Sequence, residues 1–264
     1  MQAEADVAVI IAAKDERDRI TATVKAALEL PGVDLVVVVD DGSADATGRL
    51  AREAGATVVR HSRNRGKGTA METGAEAVRL LDQDGSRRRA ALPGRGGDLP
   101  AEAGEPPRHL LFLDADLADT ARAAAPLIEP VRRGDADMTI AAFSSTVKLG
   151  GHGLVVRLSR DGIKRATGWE ATQPLNGQRC LTRAAFEAAL PLATGFGVET
   201  ALTIDLLHRG FRVVEVEVPL AHRATGTDLK AQLHRARQLR DVARALAVRE
   251  PSVARGLRRF RGLR

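Results

Sequence analysis

Three runs of consecutive apolar residues, each stopping abruptly at charged or turn-forming ones, constrain this chain more than any other feature. They are Val7–Ala13, followed by Lys14-Asp15-Glu16; Leu35–Val39, followed by Asp40-Asp41-Gly42-Ser43; and Leu110–Leu113, followed by Asp114-Ala115-Asp116. An unbroken apolar run of four to seven residues reads as a strand buried on both faces, which is typical of a central parallel strand. Between the first two lies a charged, helix-compatible segment, Glu16–Leu30, broken by Pro31-Gly32. A helix over about 45–54 and a strand at Thr57–Arg60 follow, so the order begins βαβαβ. That order predicts an α/β fold with a mostly parallel sheet and right-handed crossovers.

Downstream, His61-Ser-Arg-Asn-Arg-Gly-Lys-Gly68 leads a helix predicted to run to about Leu81. Residues 82–108 are rich in Gly, Pro, Arg and acids without hydrophobic period, and read as a disordered insert before the Asp-x-Asp strand. A helix over Thr120–Arg133 and a strand at Asp137–Phe143 continue the alternation, and residues 144–170 read as irregular. Then come a short strand near Arg179, a helix at Ala184–Ala189, a helix from Gly195-Phe-Gly-Val-Glu199 to His208, and a strand at Phe211–Val218.

The net charge of +6 is unevenly spread. Residues 228–264 hold eleven Lys or Arg against three acids, a net of +8, leaving 29 basic and 31 acidic residues before them. Within that tail Leu229, Leu233, Ala236, Leu239, Val242 and Leu246 share one helical face. This predicts a helix packed on the body with a solvated basic side, or one whose basic side meets anionic lipid. Few aromatics and no recognition motif argue against nucleic acid as a partner. The single cysteine, Cys180, excludes an internal disulfide framework and reads as a small buried hydrophobe. With no long apolar span and no signal-peptide pattern, a cytoplasmic protein is expected, with peripheral contact at the inner face of the membrane as the variant. The organisation expected is a catalytic domain over 1–226 and a basic helical extension over 227–264.

Open α/β sheets bind ligands at the carboxyl ends of their strands. Four features line up there, the first being Ala12-Ala13-Lys14-Asp15-Glu16 at the end of the first strand. Asp114 and Asp116 offer two hard oxygen ligands that can hold Mg²⁺ or Mn²⁺ against a diphosphate, although an acidic turn satisfies the same string. Asp40 or Asp41 can accept a hydrogen bond from a nucleobase. The Gly66-Lys67-Gly68 helix start offers amides, a dipole and an ammonium to anionic oxygen.

The strings VIIAAKDE, VVVVDDGSADAT, NRGKGTAMETG and FLDADL resemble the family 2 glycosyltransferases of GT-A fold, in order and spacing. PLNGQRCLTR, GFGVETALTIDLLHRGF and VEVPLAHRATGTDL are similar to glucosyl-3-phosphoglycerate synthases, and the first half also resembles polyprenyl-phosphate sugar synthases. The resemblance implies a metal-dependent hexosyltransferase using a UDP- or GDP-hexose, with a small anionic metabolite or a polyprenyl phosphate as acceptor. It implies Asp114 and Asp116 at metal and diphosphate, with His222 as third metal ligand, and Asp40 or Asp41 at the base. Ala13, Glu16, Lys67 and Ala115 fall among the nucleotide-sugar contacts, Gly177 and Gln178 line the sugar site, and Glu199 is the acid near the acceptor. A homodimer is compatible with it. Lys14-Asp15 departs from the family's aromatic-Asn, and the Gln-x-x-Arg-Trp motif of processive enzymes is missing. A sugar nucleotidyltransferase and a non-catalytic nucleotide-sugar-binding protein are the alternatives. The first usually has a glycine-rich loop directly after strand one, where AAKDE stands here.

Overall fold

The computed structural model describes residues 6–90, 106–143, 153–219 and 229–249. Among these residues seven strands form one sheet: β1 (Val7–Ala13), β2 (Val33–Asp40), β3 (Thr57–Arg60), β4 (His109–Asp114), β5 (Met138–Phe143), β6 (Arg179–Leu181) and β7 (Val213–Val218). Their order is β3-β2-β1-β4-β6-β5-β7, with every pairing parallel except those of β6, which runs antiparallel to both β4 and β5. The α/β expectation is met. Register brings the candidate residues to one edge: Ala13 pairs with Asp40 and Ala12 with Asp114.

Alternate residues of each strand serve the two faces. Val7, Val9 and Ile11 face a layer built from α1 (Ile20–Leu28) and a 3₁₀ segment at Ala118–Leu127. On that side, α2 (Thr47–Glu53) packs through Ala51. Ala8 and Ile10 face α3 (Lys67–Ala90), α6 (Arg183–Ala188) and α7 (Val198–His208), where the Phe112 and Phe186 rings stack with centroids 5.4 Å apart. Cys180 is fully buried in β6, and burial pushes its thiol well up, as befits an inert packing residue.

Four expectations need correction. The third helix does not end near Leu81 but runs to Ala90. Asp82 is held there by Arg108 and by Arg183, 3.3 Å away, so the expected disorder of 82–108 fails for its first nine residues. Residues 91–105 lie outside the described residues. The segment 144–170 is not irregular throughout, because α5 (Gly153–Thr167) occupies much of it. Val155, Ser159, Gly162 and Ile163 form its buried stripe, and the helix is stabilised by partners distant in sequence. The helix expected over Thr120–Arg133 is instead the 3₁₀ segment followed by a four-residue α4 (Glu129–Arg132), since Pro126 and Pro130 lack the N–H a continuous α-helix needs.

The last described element, α8 (Leu229–Arg249), packs on α5 and α7 through a separate apolar cluster of Val155, Ile163, Ile204, Val242 and Leu246. The apolar face read from the tail is thus turned inward at Val242 and Leu246. Leu246→Ala should cost about 2–5 kcal/mol, the range for a truncated core leucine, measurable as a lowered urea midpoint. A loss below about 0.5 kcal/mol would mean that α8 is not docked in solution. Among the described residues no helix is long and apolar enough to cross a membrane.

Candidate active site

Among the described residues, the loops that follow β1, β2 and β3 at the carboxyl edge of the sheet are tied to one another. After β1 the chain turns at Asp15 in the left-handed region (φ 56°), its amide donating to Ser43 Oγ at 3.0 Å and its carboxylate accepting from Ala44 N at 2.8 Å. Glu16 N donates to Thr47 Oγ1 at 2.8 Å, and Ala13 O accepts from Asp41 N at 2.8 Å. Gly42 (φ 72°) cannot be replaced cheaply: a Cβ there would stand 2.7 Å from the Arg63 carbonyl carbon, because the 61–66 loop lies directly against it.

Both carboxylates at the end of β2 serve this scaffold, Asp41 through both oxygens and Asp40 through Oδ1, while its buried Oδ2 has no hydrogen-bond partner among the described residues. Asp40 is fully buried and accepts from Ser43 N at 2.9 Å, while Arg60 Nε lies 3.5 Å from its other oxygen. Asp41 accepts from His61 Nδ1 at 2.7 Å and from the amides of Arg65 and Gly66 at 2.8 Å each. The expectation that one of the two reads a base meets a physical obstacle: Asp40 has no exposed face, and Asp41 has both oxygens engaged in shaping the 64–66 loop. For the same reason the Arg65 and Gly66 amides are already committed.

Burial alone would raise the Asp41 carboxyl, but the His61 ring and the two amides outweigh it and hold it below the usual carboxylate range. A lowered folded value means that its stabilisation is complete above the ordinary aspartate range near pH ~4 and is lost only as pH falls through the lower folded value. Asp41→Asn should therefore cost about 1–3 kcal/mol at neutral pH. Urea midpoints of wild type and variant should converge only below about pH 4, and a difference that vanishes already at pH 6 would contradict this anchoring.

The centre of the site is a cation held between acids. Lys67, the first residue of α3, places its ammonium 2.7 Å from Asp114 Oδ1 and 3.0 Å from Glu199 Oε1. Glu199 lies in the first turn of α7 and is itself buried. Gln178 Nε2 donates to the other Asp114 oxygen at 2.6 Å. Desolvation would lower the Lys67 ammonium, yet Asp114 and Glu199 overcome it and hold it above the ordinary lysine range. Gly177 completes the wall: a Cβ there would meet Lys67 Nζ at 2.3 Å and Asp114 Oδ1 at 2.9 Å.

The Asp-x-Asp turn is strapped from α1. Thr23 Oγ1 donates to Ala115 O at 2.9 Å and accepts from Ala118 N at 2.8 Å, and Arg19 Nη1 donates to Asp116 O at 3.0 Å. The structure thus brings Lys67, Asp114, Gly177, Gln178 and Glu199 together, with Ala115 buried and Asp116 half-buried in the adjoining turn. Ala13 and Glu16 belong to the neighbouring first loop. His222 lies outside the described residues. Among those described, no group of three or more His, Cys, Asp or Glu side chains could hold a metal ion.

Sequence reading missed Thr23 and Arg19, which look like ordinary helix residues, and Asp241, whose carboxylate accepts from Phe196 N at 3.3 Å just before Glu199. It also missed Arg179, whose one signal is a charge opening the short strand Arg-Cys-Leu.

Residues 8–80 match the family model described as glycosyl transferase family 2. The chain is 29% identical over 200 residues to the glycosyltransferase AglJ of Haloferax volcanii, covering 73% of this chain and 56% of that protein. It is 34% identical over 143 residues to the succinoglycan biosynthesis protein ExoU of Rhizobium meliloti, covering 50% of this chain and 41% of that one. The match thus spans about half the length of these curated relatives. Among solved structures, glucosyl-3-phosphoglycerate synthase of Mycobacterium tuberculosis in complex with phosphoglyceric acid superposes with a TM-score of 0.66 at 23% identity, covering 93% of this chain and 81% of that one. The same enzyme with Mn²⁺, UDP and glucosyl-3-phosphoglycerate gives 0.63 at 23% identity, over 93% and 81%. Residues 8–80 are thus similar to the family 2 glycosyltransferases, and the chain as a whole shares the fold of glucosyl-3-phosphoglycerate synthase.

Proposed function

We propose that this chain transfers a hexose from a nucleoside-diphosphate sugar to a small phosphate-bearing acceptor, with a divalent metal ion at Asp114 and Asp116. The observation that supports it most is the Lys67 ammonium lodged between Asp114 and Glu199 at the aligned strand ends, since acids that already hold one cation suit a metal-diphosphate site. Hard carboxylate oxygens fit Mg²⁺ or Mn²⁺, and His222 is the proposed third ligand. When bound, the metal supplies charge neutralisation for the departing diphosphate. Lys67, held at Asp114, would add a second positive group near the diphosphate, while Gln178 fixes the Asp114 carboxylate through its other oxygen. The acceptor oxygen bonds to C1 as the bond from C1 to the diphosphate oxygen breaks, the electron pair leaving on the diphosphate and the acceptor hydroxyl's proton passing to the Glu199 carboxylate. Glu199, on the far side of Lys67, orients the acceptor hydroxyl. Ala13, Glu16 and Ala115 line the nucleotide side and Gly177 the sugar side.

UDP-glucose is the donor we favour, and a phosphorylated three-carbon acid or polyol the acceptor class. Support comes from the neighbour enzyme, described in complex with UDP-glucose and phosphoglyceric acid and with UDP-glucose and glycerol 3-phosphate. Thermal shift with Mn²⁺ and a panel of UDP- and GDP-sugars tests donor binding, because a ligand selective for the folded state raises its stability by mass action. A rise with UDP-glucose that disappears without metal is expected. Equal shifts with free nucleoside triphosphates and none with sugar nucleotides would favour the nucleotidyltransferase reading.

A further inference from the structure

Arg179 is an almost completely buried guanidinium, 1% exposed, one residue after Gln178. It donates from Nε to Asn176 O at 2.8 Å, from Nη1 to Glu199 O at 3.0 Å and to Thr203 Oγ1 at 2.9 Å, and from Nη2 to Pro174 O at 3.1 Å. Those acceptors are all uncharged. Desolvation lowers the guanidinium to about 10, against the pull of the Glu199 and Glu215 carboxylates. Stability alone gives little reason for this, because burying a charge among neutral acceptors is expensive and an apolar side chain of similar volume often serves a core better.

The geometry gives the reason. Pro174 and Asn176 belong to the turn that delivers Gly177 and Gln178 to Lys67 and Asp114, and Asn176 pins that turn by donating to Ala141 O at 2.7 Å and accepting from Gln178 N at 3.0 Å. The Glu199 carbonyl belongs to the residue on the other side of Lys67. Thr203 closes a triangle, donating to that same carbonyl at 2.9 Å while accepting from Arg179. One planar, multiply donating group therefore joins two elements that are twenty residues apart in sequence.

We propose that Arg179, acting with Thr203, is a positioning residue that fixes the span between the Gln178–Asp114 arm and the Glu199 carboxylate across Lys67. It sets the rate of transfer without touching donor or acceptor. The inference rests on the function proposed above for its kinetic consequence, but not for the positioning itself.

Two measurements on the full chain test it. The first needs no activity: the Lys67 ammonium protons, observed by ¹H–¹⁵N correlation at low temperature, should be protected in wild type. They should be lost or strongly weakened in Thr203→Val and Arg179→Lys, and restored in Thr203→Ser, with circular dichroism unchanged. The second is kinetic. Thr203→Val should lower kcat about tenfold with KM for donor within about twofold, Arg179→Lys should lower it about a hundredfold, and Thr203→Ser should recover most of the loss; ten- and hundredfold correspond to about 1.4 and 2.7 kcal/mol of barrier. Folded Thr203→Val with an unchanged Lys67 signal would overturn the positioning role, as would a loss confined to donor affinity. A wild type that turns over no donor but shows the predicted signal changes would defeat the proposed function and leave the positioning role standing.

Discussion

Asp114→Asn is expected to abolish transfer while leaving the fold in place. The amide keeps the shape of the side chain but removes the negative charge facing Lys67 and the stronger of its two roles as an oxygen ligand. On the proposed metal role, loss of this ligand would cost several kcal/mol of charge stabilisation, so kcat should fall by about three orders of magnitude or more. The fold should survive because Asp114 closes β4 at the sheet edge with its side chain 29% exposed, and Lys67 retains Glu199 as a partner. Asp116→Ala should fall as far, since its backbone strap to Arg19 does not depend on the carboxylate. Initial rates beside a thermal melt check both. Activity within tenfold of wild type in either variant would remove the metal assignment.

Gly177→Ala carries the second largest expected effect, and it separates chemistry from stability. A methyl at this position collides with the tip of Lys67 at 2.3 Å and with the Asp114 carboxylate at 2.9 Å, both of them side-chain atoms. The ammonium can swing aside, so the fold loses little, but it then no longer bridges Asp114 and Glu199. Displacing a positioned group by about 1 Å can cost on the order of 10²-fold, and we expect kcat to fall by about that factor. The melting temperature should change by only a few degrees, as about 1 kcal/mol would bring. An alanine variant with wild-type kcat would show that the Lys67 bridge plays no part in the reaction.

The sheet's parallel half was legible because its strands are buried on both faces, and Val7–Ala13 and Leu35–Val39 leave no other reading. Lys67 and the strand-end carboxylates were legible as polar interruptions of that pattern. Other parts depend on partners that no local pattern names. The stripe of α5 gains its meaning from Val242 and Leu246, some eighty residues on. β6 is three residues long, so its antiparallel insertion between β4 and β5 leaves almost no period to detect. Asp41 reads as a ligand-facing acid until His61, Arg65 and Gly66 are found to have claimed it. Arg179 draws no reading of its own, since a buried arginine is rare and nothing nearby in sequence betrays its acceptors.

The central claim concerns the leaving group, and one assay addresses it directly. Purified full chain is mixed with Mn²⁺, UDP-glucose and a small phosphorylated acid, and the released nucleotide and phosphate species are separated and quantified. The account predicts UDP, formed in step with a glucosylated acceptor, dependent on metal and lost in Asp114→Asn. Pyrophosphate release, or no turnover across UDP- and GDP-hexoses with small phosphate and polyprenyl-phosphate acceptors alike, would contradict it.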